Sequence, residues 1–337
     1  SSDVCSSDLA KGDVVKVGTK IAEPAGFVSA AIHSSVSGKV AKIDTIVDAS
    51  GYAKPAIFID VEGDEWEETI DRSATLVKEC ELPAEEIVKK IADAGIVGLG
   101  GACFPTQVKL CPPPSFKAEC VIINAVECEP YITADYRSVM NDAKDLVTGA
   151  KIMKKMAEAK TVYICIKESH PDLIEKVKSV LTDAAGVEVR PVPDVYPMGW
   201  ERVLVREVLH KEYGGLPADA GAIIGNASSA IAIAKAFEKG EAITQKNLTV
   251  SGECVKDPHN VCVPVGMPVS EIIEACGGYT QDTVRLISGG PMMGKTIVND
   301  MFVVDRAMNA LTVLPAANDD AIACLRCGKC SDHCPSG

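Results

Sequence analysis

The chain has 337 residues, enough for two or three domains. Its 34 Lys and Arg against 47 Asp and Glu give a net charge of −13, which excludes a nucleic-acid binder that must neutralise phosphates with a basic face. A 47% hydrophobic and 24% charged composition is that of a chain able to bury a core, not of a disordered one. No run reaches the roughly 18 apolar residues of a membrane span, and no signal peptide or lipidation motif is visible.

Fourteen cysteines are the unusual number. Ten are scattered, mostly in apolar stretches, and read as reduced, buried small hydrophobes. Four crowd the last fourteen residues and read as ligands. Together they predict a reducing compartment, the cytoplasm.

In chain order, Ser1–Leu9 has no periodicity and reads as a non-native scar, so residues 1–10, with Cys5, are left out of the fold reading. The far end stops two residues after Cys334-Pro335, in mid-motif, so both ends read as cut. Lys11–Glu62 alternates short β-rich runs with glycine turns and predicts a small all-β module. Its layout resembles the barrel-sandwich of biotinyl and lipoyl domains. The corresponding tip, Pro24-Ala25-Gly26-Phe27, has no lysine to carry a group, so carrier chemistry is not expected.

From Pro83 the period changes. Ile87, Ile91 and Ala94 predict a helix ending at Gly95. Cys120–Ile123, Val162–Ile166 and Ala222–Ile224 read as buried strands. Helices are predicted after Pro171, over Leu204–Leu209 ending near Gly214-Gly215, and over Ser229–Lys239. This alternation predicts an α/β domain. Leu248–Val250, a helix over Val269–Cys276 and a strand at Val284–Ile287 predict a smaller α+β module. His33, His170 and His210 are expected at the surface. Cys254, His259 and Cys262 share a loop but lack a fourth ligand.

Four motifs have patterns to weigh for chemistry, and the fourth is rejected. Cys324-x-x-Cys327-x-x-Cys330-x-x-x-Cys334-Pro335 has the spacing of a bacterial ferredoxin [4Fe–4S] site. Zinc is the rival, but structural zinc sites usually pair two separated Cys-x-x-Cys knuckles. In two-cluster ferredoxins the fourth cysteine serves the other cluster, so a second such motif is expected beyond Gly337. Gly98-Leu99-Gly100-Gly101-Ala102-Cys103-Phe104-Pro105-Thr106 is glycine-rich, but a helix precedes it and residue 103 is Cys, so it is not a dinucleotide fingerprint. Its bare backbone could still meet a flat or phosphorylated ligand, with Lys109 supplying charge. Asn124-Ala125-Val126-Glu127-Cys128-Glu129-Pro130 follows a strand, where α/β folds bind ligands. Gly289-Gly290-Pro291-Met292-Met293-Gly294-Lys295-Thr296 spells a P-loop, yet β-branched residues follow instead of a helix. A tight turn between strands is expected there.

The glycine loop and the acidic turn together resemble the FMN- and NADH-binding subunit of respiratory complex I, and Tyr196–Glu201 resembles that family's Tyr-x-x-Gly-Glu-Glu segment. Adding the barrel-sandwich, a β-grasp-like module and the ferredoxin motif, Lys11–Pro335 resembles the C subunit of Rnf electron-transport complexes. The cobalamin reductase of propanediol-utilising microcompartments is similar, with its barrel-sandwich after the ferredoxin part.

The resemblance implies a multidomain α/β and β chain. Its parts would be a barrel-sandwich hybrid over 11–75, a complex I flavoprotein-like α/β domain over 76–245, a β-grasp-like α+β domain over 246–315 and a partial ferredoxin-like 4Fe-4S segment over 316–337. It implies an NAD-linked oxidoreductase subunit, peripheral on the cytoplasmic face of the cell membrane. Such a protein exchanges hydride with NAD(H) at FMN and passes single electrons through two [4Fe–4S] clusters, coupled to Na⁺ or H⁺ movement. The partners are other subunits of the complex and, through them, ferredoxin. By residue match, Gly98, Gly100, Gly101, Lys109, Asn124, Glu127 and Asn226 would surround FMN. Phe104, Glu129 and Glu201 would face the nicotinamide nucleotide, with Gly199 in the same segment. Cys324, Cys327, Cys330 and Cys334 would bind metal, and no catalytic side chain is assigned, since the chemistry belongs to FMN. Leu99, Cys103, Gln107 and Leu110 replace Arg, Gly, Gly and Trp of the complex I family, and Val126 replaces an Asp. The alternatives are a cobalamin-reductase-like flavin and iron–sulfur protein, or a docking subunit whose flavin pocket has decayed.

Overall fold

Short runs of alternating polarity between glycine turns give the first module its strands. They are β1 (Cys5–Ser6), β2 (Val14–Val15), β3 (Lys20–Pro24), β4 (Ile32–His33), β5 (Gly38–Val47) and β6 (Ala53–Val61). They form two antiparallel three-stranded sheets, ordered β1-β3-β4 and β2-β5-β6. The stretch set aside as a scar thus contributes β1, which pairs Cys5 with Pro24 and Ser6 with Glu23. The structure, a computed structural model, describes residues 5–73, 80–111, 116, 118–182, 184–316 and 322–334.

The second module alternates helices and strands. In α1 (Ala84–Asp93), Glu85 and Glu86 occupy the first turn and Lys90 the last, matching the helix dipole, while Ile87 and Ile91 are buried one turn apart. Gly95 follows at φ +66°, a left-handed turn that glycine adopts without strain. Next come α2 (Thr106–Leu110), β7 (Cys120–Ala125), α3 (Ala134–Asn141), α4 (Ala143–Met156), β8 (Thr161–Lys167) and α5 (Pro171–Ser179). They lead to β9 (Val187–Val192), α6 (Glu201–Leu209), β10 (Ala222–Asn226) and α7 (Ala227–Lys239). The four strands are parallel, in the order β10-β7-β8-β9.

Helices cover both faces of this sheet, so β7 is apolar at nearly every position. Val121, Ile123 and Ala125 enter one core; Cys120 and Ile122 enter the other. The expected strands and helices all form, with boundaries shifted: α7 begins at Ala227, two residues before Ser229, and α6 stops at Leu209, where His210 takes φ +55°, before Gly214-Gly215.

The third module is a five-stranded sheet in the order β12-β11-β15-β13-β14. Its elements are β11 (Gln245–Ser251), β12 (His259–Pro264), α8 (Val269–Ala275), β13 (Val284–Ser288), β14 (Lys295–Ile297) and β15 (Ala310–Pro315). The P-loop look-alike is the turn of the β13–β14 hairpin, as its β-branched sequel predicts. A short helix, α9 (Lys329–Asp332), lies in the cysteine tail.

Polar bonds tie the three modules together. Arg306 is buried, and its Nη1 donates to the carbonyls of Ala31 at 2.8 Å and Gly95 at 2.9 Å, one in each of the other modules. Ser35 Oγ donates to Val265 O, Gln107 Nε2 to Ser29 O, and Ser251 Oγ to Tyr131 O. His33, expected at the surface, is instead half-buried, because β4 lies beneath this junction. Its Nδ1 has no hydrogen-bond partner among the described residues. His170 is half-buried against the Tyr136 ring at 4.9 Å, and His210 is exposed as expected.

Candidate functional site

In the parallel sheet the chain leaves β7 toward β8 and β9, then returns to place β10 on the other flank of β7. The boundary between β7 and β10 is therefore a topological switch point, where loops diverge and leave a crevice beyond the strand ends. Asn124 and Asn226 end these two strands as register partners. Asn124 Oδ1 accepts from Val126 N at 3.0 Å, and its Nδ2 donates to Gly199 O at 2.8 Å. Asn226 caps α7: Oδ1 accepts from Ser229 N at 3.2 Å, and Nδ2 donates to Asp135 Oδ2 at 2.7 Å.

The glycine loop is laid across this crevice. It closes on itself, with Gly98 N donating to Phe104 O and Cys103 N to Gly98 O, each at 2.9 Å. Leu99 N donates to Ser229 Oγ at 2.9 Å, and Ser229 Oγ donates to Val97 O at 2.8 Å. The Leu99 carbonyl accepts from the Lys246 ammonium, contributed by β11. Asn309 Nδ2 reaches Gly100 O at 3.4 Å. The Leu99 side chain is buried, whereas Gly100, Gly101 and Ala102 are exposed. A Cβ on Gly100 would lie 2.6 Å from Asn226 Nδ2, and Gly101 sits at φ +111°. Glycine is thus required at both positions, and the loop offers bare backbone to whatever enters. A cradle of this kind fits a flat or phosphorylated ligand such as FMN.

The acidic turn supplies the charge. Glu127 accepts the α3 amides of Asp135 at 2.9 Å and Tyr136 at 3.2 Å. Burial, reinforced by the Asp135 carboxylate, raises the Glu127 carboxyl to about 7. Lys109 and Glu201 form an ion pair at 2.6 Å. Glu129 accepts from the amides of Met292 at 2.6 Å and Met293 at 3.0 Å, in the β13–β14 turn.

The structure brings together most residues that the sequence marks. Gly100 meets Asn226, Asn124 meets Gly199, Lys109 meets Glu201, and Glu127 reaches Asn226 through Asp135. Gly98 and Phe104 close the loop. Glu129 is engaged by the hairpin turn of the third module, a partner its motif does not reveal. Sequence reasoning misses Asp135, Ser229, Asn309 and Lys246. Lys246 leaves a signal: with Leu248 and Val250 it occupies the inward-facing alternate positions of a strand, where a charge needs a reason.

In the tail, Cys324, Cys327, Cys330 and Cys334 are all exposed thiols. Among the described residues no group of three or more His, Cys, Asp or Glu is placed to hold a metal ion. The donor set itself, four soft thiols at ferredoxin spacing, has the chemistry of an iron–sulfur site. Cys254, His259 and Cys262 likewise form no metal group, since Cys254 is buried in the third module's core.

Comparison with known proteins follows this division. The RnfC barrel sandwich hybrid domain matches residues 3–64, the Nuo51 FMN-binding domain 91–235, and the SLBB domain 247–296. The chain therefore combines these three domains in an α/β and β architecture. It is 39% identical to the C subunit of the proton-translocating ferredoxin:NAD(+) oxidoreductase complex of Clostridium ljungdahlii, over 96% of this chain and 72% of that one. It is 36% identical to the Na(+)-translocating counterpart of Acetobacterium woodii, over 98% and 75%. For the C subunit of the ion-translocating oxidoreductase complex of Rhodobacter capsulatus, the values are 38%, 97% and 64%. The fold is also that of a chain in an NAD+-reducing [NiFe]-hydrogenase crystal structure in the H2-reduced state. There the TM-score is 0.57 at 17% identity, over 70% of this chain and 47% of that one. No helix among the described residues is long and apolar enough to cross a membrane. At 39% identity over 96% of its length, the chain belongs to the C-subunit family of Rnf-type ion-translocating oxidoreductase complexes.

Proposed function

We propose that this chain is the NAD-linked electron-transfer subunit of a membrane-bound ferredoxin:NAD oxidoreductase, attached peripherally on the cytoplasmic face. In the complex its electron flow is coupled to Na⁺ or H⁺ movement. The observation that carries the reading is the glycine loop pinned across the switch point, with Gly100 and Gly101 open to a ligand. When bound, FMN accepts the electron pair of a hydride and releases electrons singly, and [4Fe–4S] clusters take them one at a time.

The chain's own residues then have distinct tasks. Gly98, Gly100 and Gly101 let backbone approach the cofactor, and Asn124 and Asn226 hold the strand ends that frame it. Lys109 neutralises a phosphate, exchanging its present partner Glu201, which turns to the nucleotide's hydroxyls. Glu127 is a carboxyl that can hold a proton near neutral pH beside the flavin. Phe104 and Gly199 shape the nucleotide side. Glu129 orients that side while anchoring the hairpin turn. Cys324, Cys327, Cys330 and Cys334 would ligate iron.

The test is spectroscopic. The chain titrated with FMN should quench flavin fluorescence, and Gly100→Asp should abolish the quenching by placing a side chain and a charge in the cradle. NADH should bleach the bound flavin's absorbance even when Cys324, Cys327 and Cys330 are all Ala. Equal FMN binding by the wild type and Gly100→Asp would sink the site; bound flavin that NADH leaves oxidised would favour a docking role.

A further inference from the structure

Lys246 is 4% exposed and lies at the floor of the glycine loop, yet it belongs to a different module. A buried ammonium is costly unless paired. Among the described residues no carboxylate lies within ion-pair distance of Lys246; the partner of its Nζ is the neutral carbonyl of Leu99. The nearby acids are spoken for. Asp135 accepts from Asn226 and Ser228, Asp305 from the amides of Ala307 and Met308, and Glu127 from the amides of Asp135 and Tyr136. Burial pushes the Lys246 pKa down, and the charges of Asp135, Cys103, Asp305 and Glu127 push it back up. A methionine or leucine would pack in this strand position without that desolvation cost. The cation therefore marks a requirement other than folding.

That requirement is legible in the loop. Leu99 immediately precedes Gly100 and Gly101, its N–H is fixed by Ser229, and its carbonyl is turned inward to Lys246. With both ends of the residue fixed, the following Gly100 and Gly101 peptides face the crevice. A positive charge directly behind that face also favours a ligand that gains negative charge on reduction.

We propose that Lys246 of β11, in the third module, is a positioning residue of the flavin site. It fixes the Leu99 carbonyl and places a buried cation behind the loop, so that the FMN-binding domain is incomplete without its neighbour. The inference rests on the FMN reading above.

The experiment uses the whole chain, with FMN affinity by fluorescence quenching and the bound flavin's two-electron midpoint potential by equilibration with a reference dye. Lys246→Met keeps length and apolar stem and removes the charge. It should keep or raise the unfolding temperature, weaken oxidised FMN about tenfold, and weaken reduced FMN about a further tenfold. The second factor is a fall of about 30 mV in midpoint potential for a two-electron couple. Lys246→Arg should keep the potential within a few mV of wild type, because the charge remains. Unchanged affinity and potential in Lys246→Met would overturn the proposal. A Met variant that fails to fold would also overturn it, by making Lys246 a stability residue. A wild-type chain that binds no FMN would instead sink the site reading on which the inference stands.

Discussion

Glu127 shows what a single carboxyl does when a helix end and burial act on it together. Its two oxygens cap α3, which favours the charged form, but desolvation and the neighbouring Asp135 outweigh that and lift it to about 7. A carboxyl whose folded pKa exceeds its unfolded value near 4.5 binds its proton more tightly in the native state. The folded chain therefore loses stability from this group as pH rises from about 4.5 through 7, by something on the order of 1–3 kcal/mol. Between pH 5 and pH 8 the urea midpoint of the wild type should fall relative to that of Glu127→Gln; a difference that does not change with pH would mean the carboxyl keeps one protonation state throughout. The Asn-Ala-x-Glu-x-Glu-Pro motif makes Glu127 visible in sequence. Asp135 stays hidden, because a helix-start acid eight residues on looks like any N-terminal charge.

At the scale of elements, the β13–β14 turn is held by Glu129, whose carboxylate collects two consecutive amides. A hydrogen bond to a charged group contributes roughly 1.5–3 kcal/mol. Glu129→Ala should therefore speed hydrogen exchange at the Met292 and Met293 amides by about tenfold or more, with exchange in β7 and β8 unchanged. Equal protection in the variant would show that the hairpin holds its turn by itself. Local pattern makes the hairpin legible, since glycines and a proline are followed by β-branched residues. Local pattern also gives the helices whose apolar period is clean, such as α1 and α5. It leaves 131–160 unassigned, although α3 and α4 lie there. Within α4, Gly149 lowers the local helix propensity. In the fold it lets α4 approach α7 so closely that a Cβ would collide with the Ala230 carbonyl. That close approach is a property of two helices at once, so one helix's sequence cannot announce it.

At the scale of the molecule, hydrogen bonds join the three modules, and His33 lies at their junction. Burial, then the charges of Lys20 and Arg306, lower its pKa to about 4. The unfolded chain, with the ring near 6.5, takes up the proton first, so stability falls as pH drops from about 6.5 toward 4. This is the opposite slope to that of Glu127. His33→Leu should remove it, read as thermal unfolding at pH 7 and pH 5, with all three modules melting together in both proteins. An unchanged pH response would place the titration elsewhere. Composition and isolated motifs reveal each module but not this junction. Nothing local marks Arg306 as a buried donor to residues more than two hundred positions away.

That guanidinium has a consequence for how the chain comes into being. The Ala31 and Gly95 carbonyls precede their donor by 275 and 211 residues. At roughly 5–20 residues per second, a ribosome exposes the Ala31 carbonyl about 14 to 55 seconds before Arg306 is made. Throughout that interval the Ala31 carbonyl lacks the buried donor that it has in the finished fold. Completion of this junction therefore waits until residue 306 is made, and a chain cut short before it would lack the guanidinium that joins its first two modules.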